Sequence, residues 1–230
     1  MKGHIILAAG GFRSGSTLQY NLIGEYVERL NMGRRIGLIE PDEAVYFRDL
    51  WKVIDALGLA VAKCHSPNIW LDMAKNAQVT PVYTVRHWGD VVMSMCRFWG
   101  KTLDQILIDP IFYKNLEYME EWLSFPGTIV QRYEDEWHDP LGELDLLVER
   151  LGLPWSPEVA DQAVAAATGH KALMEIAEKH NPGWDPRTQI HHNHVGAPNG
   201  GEWRLLKPDK LERLKGKLTA VMKRFNYTWY

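Results

Sequence analysis

The sequence lacks most of the features that mark a specialised class of protein. Its 230 residues include two cysteines, Cys64 and Cys96, too few for a disulfide framework and typical of a reducing compartment. No run approaches the roughly 18 consecutive apolar residues of a membrane-spanning helix. The net charge is −3, so no basic excess exists to bind nucleic acid through its phosphates. We expect a soluble cytoplasmic protein with neither nucleic-acid nor membrane partners.

The composition is otherwise that of a globular protein. Hydrophobic residues make up 46% of the chain and charged residues 24%, which excludes intrinsic disorder. No repeat, low-complexity tract or linker-like segment divides the sequence, so we expect a single domain over residues 1–230. The ten tryptophans are the one unusual count.

Short apolar or β-branched runs alternate with longer segments of helical periodicity. This order predicts an α/β fold of three layers, in which helices flank a central parallel sheet. The predicted strands are residues 5–9, 60–63, 82–85 and 128–132, with a weaker candidate at 36–39. The predicted helices are residues 17–31, 42–57, 69–76, 89–98, 111–123, 140–151, 157–167 and 208–225. Residues 181–201 are rich in Pro, Gly, His and Asn, which predicts one long loop.

The first chemical signal is a glycine-rich loop at residues 10–17 (GGFRSGST), between the first strand and the first helix. Backbone amides in such a loop and at a helix N-terminus can bind phosphate. Two glycines and a threonine match the pattern G-x-x-x-x-G-K-[ST], but Ser16 stands where the lysine is required. That lysine holds the β- and γ-phosphates, so its absence argues against phosphoryl transfer. Arg13 supplies a cation instead. The alternative is an ordinary turn with a surface arginine.

Four further segments follow the loop in order, each at a strand end or in a loop. They are residues 63–67 (KCHSP), 82–94 (VYTVRHWGDVVMS), 132–135 (RYED), and Gly196 with residues 201–204 (GEWR). Together with residues 12–17 (FRSGST), these segments resemble the sulfotransferases that use 3′-phosphoadenosine 5′-phosphosulfate (PAPS). The carboxyl ends of strands are also where open α/β sheets bind ligands.

The resemblance implies a single-domain, P-loop-like fold, with PAPS as co-substrate, 3′-phosphoadenosine 5′-phosphate (PAP) as product, and no metal. The loop would bind the 5′-phosphosulfate, and Arg86 with Ser94 the 3′-phosphate. Residues 181–206 would cover the nucleotide. The nucleotide-binding residues implied are Arg13, Ser14, Gly15, Ser16, Thr17, Arg86, Ser94, Tyr133, Gly196 and Trp203.

The catalytic residues implied are His65, Arg13 and Lys63. The expected reaction is in-line transfer of the sulfuryl group to a hydroxyl, or an amine, of a small-molecule acceptor. We expect the acceptor to be a natural product. His65 would be the general base, since an imidazole pKa of about 6.5 lies near the working pH. Arg13 would stabilise the leaving phosphate, and Lys63 would help to orient the sulfonate or the substrate, because strand periodicity places it on the face of His65. The alternatives are a hydrogen-bonded core histidine and a solvent-exposed lysine at a strand end.

The sequence also departs from the family pattern. Where the family's late loop carries Arg-Lys-Gly, this chain has His194, Val195 and Gly196, so Arg187 or Arg204 would have to supply the missing charge. The family's dimerisation motif is absent, and no oligomeric state is predicted. Trp51, Trp70 and Trp99 fall in segments that could wall the acceptor pocket. Two rival functions stay open: a P-loop kinase of a small metabolite and a catalytically silent nucleotide-binding module.

Overall fold

The computed structural model describes residues 3–39, 54, 56, 58–67, 70, 78–179, 185–190 and 200–229. In this part of the chain, five strands form one sheet: β1 (His4–Gly10), β2 (Arg34–Leu38), β3 (Leu59–Cys64), β4 (Gln78–Val85) and β5 (Ile129–Arg132). All of the strand pairs are parallel and the order is β2-β3-β1-β4-β5. The four predicted strands are confirmed, and the weaker candidate at 36–39 corresponds to the edge strand β2.

Nine α-helices lie in the described residues. They are α1 (Ser16–Arg29), α2 (Trp88–Trp99), α3 (Leu103–Ile106), α4 (Pro110–Ser124), α5 (Tyr133–His138), α6 (Pro140–Arg150), α7 (Pro157–Thr168), α8 (His170–Lys179) and α9 (Pro208–Arg224). A 3₁₀ turn spans Glu202–Leu205. None of the helices described is long and apolar enough to cross a membrane.

Six of the predicted helices are confirmed to within two residues at each end. The predictions at 42–57 and 69–76 fall almost entirely outside the described residues. Sequence reasoning missed α3, α5 and α8. The first two have four and six residues, fewer than the window over which helical periodicity can be recognised.

The sheet is buried between two layers of helices. Alternate residues of β1 point to opposite sides, because side chains alternate along a strand. Ile5 and Leu7 belong to the core shared with α2, α4 and α9, whereas Ile6 and Ala8 pack with Tyr20 and Ile23 of α1 and with α6. The expected three-layer α/β architecture is therefore confirmed. On the α1 side, α7 packs against α1 rather than against the sheet.

The position of β1 creates a crevice at one edge of the sheet. β1 lies between β3 and β4, and the carboxyl ends of all three strands meet at that edge because the pairing is parallel. The helix that follows β1 covers one face, and the helix that follows β4 covers the other. Because the helices after β1 and β4 lie on opposite faces of the sheet, they leave an opening between them beyond the strand ends. Open α/β sheets bind ligands at such openings.

One buried carboxyl, Glu136 of α5, lies beneath the first turn of α1. The residue is 1% exposed. One carboxyl oxygen accepts a hydrogen bond from Gln19 Nε2 at 3.3 Å, and the other oxygen has no hydrogen-bond partner. Burial raises the pKa of Glu136 well above its usual range, and the nearby carboxylates of Glu143, Glu134 and Asp135 raise it further. The native state therefore holds a proton on Glu136 that the unfolded chain releases near pH 4.3 (about the model-peptide value).

We predict that Glu136→Gln gains stability relative to the parent protein as the pH rises. Above the unfolded pKa the native parent binds more protons than the unfolded chain, so its stability falls with rising pH, and a neutral amide removes that dependence. The measurement is urea unfolding of both proteins at pH 4.5 and pH 8. A constant difference in the free energy of unfolding between them would contradict the raised pKa.

Candidate functional site

The loop between β1 and α1 exposes the N-terminus of the helix. Gly15 precedes α1 with φ +101° and provides no side-chain cap, so the first amides of the helix remain available to a ligand. Ser14 and Ser16 are buried in the loop, and the Ser14 amide donates to the Gly11 carbonyl at 3.1 Å. Arg13 has φ +69°, a left-handed conformation that is unfavourable for a residue with a side chain.

Two arginines from different strand ends meet beside this loop. Arg13 Nε donates to Ser94 Oγ of α2 at 2.9 Å, and Arg86 Nη1, from the end of β4, donates to the Arg13 carbonyl at 3.4 Å. The Arg86 guanidinium lies 4.4 Å above the ring of Tyr133, and its buried Nε has no hydrogen-bond partner. The structure thus brings together the residues that the sequence assigned to the 5′-phosphate and to the 3′-phosphate.

The electrostatics of this cluster favour an anion. Burial, together with the positive charges of Arg86 and Arg97, lowers the pKa of Arg13 to about 10. The guanidinium groups of Arg13 and Arg86 repel each other in the folded protein. A phosphate bound between them would offset that repulsion and could accept bidentate hydrogen bonds.

His65 follows β3 and faces the same loop. It is 8% exposed, and Nδ1 lies 2.7 Å from the Gly10 carbonyl. A carbonyl can only accept, so Nδ1 carries the proton and Nε2 is left as an acceptor. Burial lowers the pKa of His65 to about 3, with the charge of Lys63 as a further cause. The pKa of His65 therefore lies well below the value of about 6.5 of an unperturbed imidazole, because desolvation disfavours the charged form.

Lys63 is buried rather than exposed at the end of its strand. The residue is 3% exposed and its charge acts on His65. The alternative of a solvent lysine is wrong, because β3 is an inner strand of the sheet. The Phe12 ring also lies beside His65, with its centroid 4.4 Å from the imidazole.

Tyr133 packs over the phosphate loop, and Trp203 packs against the residues that begin α2. The Tyr133 ring packs over Gly15 so tightly that a Cβ at that position would collide with it. Trp203 is 1% exposed and stacks on His87 at 4.6 Å with 6° between the planes. The adjoining Gly201 amide donates to the Asp90 carboxylate. Trp203 therefore lies against the start of α2, next to Arg86, and Gly196 lies outside the described residues.

Of the two arginines considered as substitutes in the late loop, Arg187 lies far from the phosphate loop and Arg204 lies on Trp203. Arg187 pairs with Glu28 at 2.8 Å and with Glu25 at 3.4 Å. Glu28 is 12 residues from the start of α1, about 18 Å along the helix from the phosphate loop. The guanidinium of Arg204 lies 4.5 Å above the Trp203 ring.

The tryptophans expected to wall a pocket have different positions. Trp70 is fully buried in the core shared with α2 and α4, so it lines no open pocket. Trp99 lies edge-on to Phe12, with centroids 6.5 Å apart, and Phe12 in turn contacts the imidazole of His65. Trp51 lies outside the described residues.

Sequence reasoning missed one polar residue of the site, Asn115 of α4. Its side chain bonds to the backbone of Phe12 in the phosphate loop. The signal in the sequence is an amide within the apolar stripe of Phe112, Met119 and Trp122, all of which are buried. Among the described residues there is no cluster of three or more His, Cys, Asp or Glu side chains able to hold a metal ion.

Comparison with known proteins identifies the fold. No family model matches the chain, and no curated protein matches its sequence. The mouse sulfotransferase SULT7A1, solved in complex with PAP, superposes with a TM-score of 0.70 at 17% identity, over 98% of this chain and 86% of that one. Retinol dehydratase, solved with androsterone and the inactive cofactor PAP, gives 0.65 at 15% identity, over 98% and 82%.

This chain has the sulfotransferase fold. The sulfotransferase domain of the Synechococcus PCC 7002 olefin synthase shares it as well, with a TM-score of 0.55 at 14% identity over 95% of each chain. The expected fold is thereby confirmed. In this sulfotransferase fold the described strand ends carry Arg13, His65, Arg86 and Tyr133 at a single edge of the sheet.

We predict that Gly15→Ala destabilises the protein more than Gly100→Ala. Both glycines have positive φ, but a Cβ on Gly100 meets open space whereas one on Gly15 meets the Tyr133 ring. The backbone penalty alone is about 1 kcal/mol, and overpacking adds about 2 kcal/mol. Urea unfolding measures both variants. Equal losses of stability would contradict the packing of Tyr133 over the loop.

Proposed function

We propose that this protein transfers a sulfuryl group from PAPS to a hydroxyl, or an amine, of a small-molecule acceptor. The observation that carries the proposal is the meeting of Arg13, Arg86 and Ser94 beside the N-terminus of α1, where Arg13 donates to Ser94 and Arg86 donates to the Arg13 carbonyl. Those groups can receive two phosphates, and PAPS differs from ATP in having one on the 3′ carbon. That solved proteins of the same fold contain PAP supports this choice.

This chain has residues that could bind the nucleotide at its 5′-phosphosulfate and at its 3′-phosphate. The amides of residues 14–17, with the hydroxyls of Ser16 and Thr17, would bind the 5′-phosphosulfate, and Arg13 would neutralise the bridging oxygen. Arg86, whose buried Nε lacks a hydrogen-bond partner, would donate to the 3′-phosphate together with Ser94. Tyr133 covers the loop from the end of β5.

The chemistry then needs a base, which His65 would provide. The acceptor oxygen forms a bond to sulfur while the bond from sulfur to the phosphate oxygen breaks, and the acceptor proton moves to His65 Nε2. Arg13 stabilises the charge that develops on the leaving phosphate oxygen. Lys63, buried beside His65, would hold the sulfonate. The anionic nucleotide offsets the positive charge of Arg13 and Lys63, which raises the pKa of His65 and makes it a stronger base.

The two rival functions make different demands. A kinase needs the loop lysine that Ser16 replaces, together with acidic residues for Mg²⁺. A silent module would bind the nucleotide but would not need the acceptor nitrogen of His65 beside the loop. The acceptor class, a small natural product, rests on the aromatic residues near His65, which include Phe12 and Trp99.

We predict that calorimetry finds PAP binding at least about tenfold more tightly than ATP, because charge-assisted hydrogen bonds from Arg86 and Ser94 reach only the 3′-phosphate. Arg86→Ala should weaken PAP by about tenfold or more and adenosine 5′-phosphate by a clearly smaller factor, because only PAP loses a phosphate contact to Arg86. The matched control is Arg213→Ala, a surface arginine of α9 paired with Asp104. Tighter binding of ATP would favour the kinase instead.

We predict that His65→Ala abolishes turnover and leaves PAP affinity within a few-fold, whereas His138→Ala, at an exposed end of α5, changes neither. A screen of acceptors by mass spectrometry, for a gain of the mass of SO₃, supplies the assay. Because the pKa of His65 is lowered to about 3, its basic form persists from pH 5 to 8. The kcat/KM of the parent for PAPS, which reports the free enzyme, should then show no inflection near pH 6.5; an inflection there would contradict the low pKa of His65.

A further inference from the structure

The side chain of Asn115 is bonded twice to the backbone of the phosphate loop. The Phe12 amide donates to Asn115 Oδ1 at 2.6 Å, and Asn115 Nδ2 donates to the Phe12 carbonyl at 3.1 Å. Asn115 is 1% exposed and lies in the middle of α4. Its carboxamide thus gives Phe12, two residues past the end of β1, the pair of hydrogen bonds that a neighbouring strand would supply.

The space for this carboxamide depends on Gly11. A Cβ on Gly11 would lie 2.5 Å from Asn115 Oδ1 and 3.0 Å from Asn115 Cγ, closer than packed atoms approach. The φ of Gly11 is not among the positive values that favour glycine. The glycine is therefore required by the close approach of Asn115 and not by the backbone conformation.

The residue after this contact is the strained Arg13. Its φ of +69° is unfavourable for a residue with a Cβ and persists only where the surroundings hold it. Asn115 holds the preceding residue, and Arg86 Nη1 holds the Arg13 carbonyl at 3.4 Å. The side chain of Arg13 then reaches Ser94.

We propose that Asn115 is a positioning residue, which fixes the Phe12 backbone so that Arg13 is directed at the 5′-phosphate of the nucleotide. This inference rests on the function proposed above. It assigns to α4 a role in the nucleotide site, although α4 follows none of the strand ends that carry the binding residues. The same contact also keeps the Phe12 ring against His65.

Hydrogen exchange tests the contact without any ligand. Asn115→Ala should raise the exchange rate of the Phe12 amide about tenfold or more, since that amide loses its acceptor. Asn115→Asp keeps the acceptor and loses only the donor, so Phe12 should stay protected. The control is Glu117→Ala, an exposed position of the same helix. An unchanged Phe12 rate in Asn115→Ala overturns the proposal.

Calorimetry tests the consequence for the site. Asn115→Ala should weaken PAP about tenfold and adenosine 3′-phosphate, which has no 5′-phosphate, by less than about twofold. Asn115→Asp should fall between the parent and Asn115→Ala. Equal losses for the two ligands would mean a general structural defect and overturn the positioning role.

Gly11→Ala provides an independent route to the same effect. Its methyl group should displace the carboxamide and reduce PAP affinity as Asn115→Ala does. In the double variant with Asn115→Ala, Gly11→Ala should reduce PAP affinity by less than about a further twofold, because the space is then empty. Additive losses overturn the proposal.

The parent protein separates this proposal from the function on which it rests. If the parent binds ATP in preference to PAP, the proposal of sulfuryl transfer fails. The loss of affinity in Asn115→Ala is then measured for ATP and for adenosine. A loss confined to ATP still supports the role of Asn115. A parent that binds no nucleotide overturns both.

Discussion

Parallel pairing of β1 with β3 on one side and β4 on the other brings the ends of three strands together at one edge of the sheet. The register pairs Ala9 with Cys64 and Gly10 with Thr84. The residues that follow the three strands are therefore close together in space. Arg13, His65 and Arg86 meet for this reason, although they are far apart in the chain. The helices on opposite faces leave the edge open between them.

The convergence concentrates positive charge at a buried place. Arg13 and Lys63 lie near the imidazole of His65, and Arg86 lies beside Arg13. The pKa values of Arg13 and His65 are both lowered by burial and by neighbouring cations. Like charges in a desolvated site oppose folding and favour an anionic ligand. The backbone strain at Arg13 belongs to the same arrangement, because contacts from α4 and from the end of β4 hold it.

Much of the fold followed from local patterns. Strands buried on both faces are continuous apolar runs, and the longer helices show clear periodicity, so most elements were predicted to within one or two residues. The short helices α3 and α5 gave too little periodicity to recognise. The glycine spacing of the phosphate loop was also visible, because it depends on adjacent residues. Asn115 was missed because its role depends on Phe12, 103 residues away.

The sequence by itself determined the α/β order, the loop that opens α1 and the chemical groups that follow the strands, because these depend on neighbours along the chain. Only the tertiary structure decided what those groups do to one another. It set the tautomer and low pKa of His65, buried Lys63, paired Arg187 with α1 and stacked Trp203 on His87. Those properties arise from desolvation and long-range contacts, which neither composition nor spacing encodes.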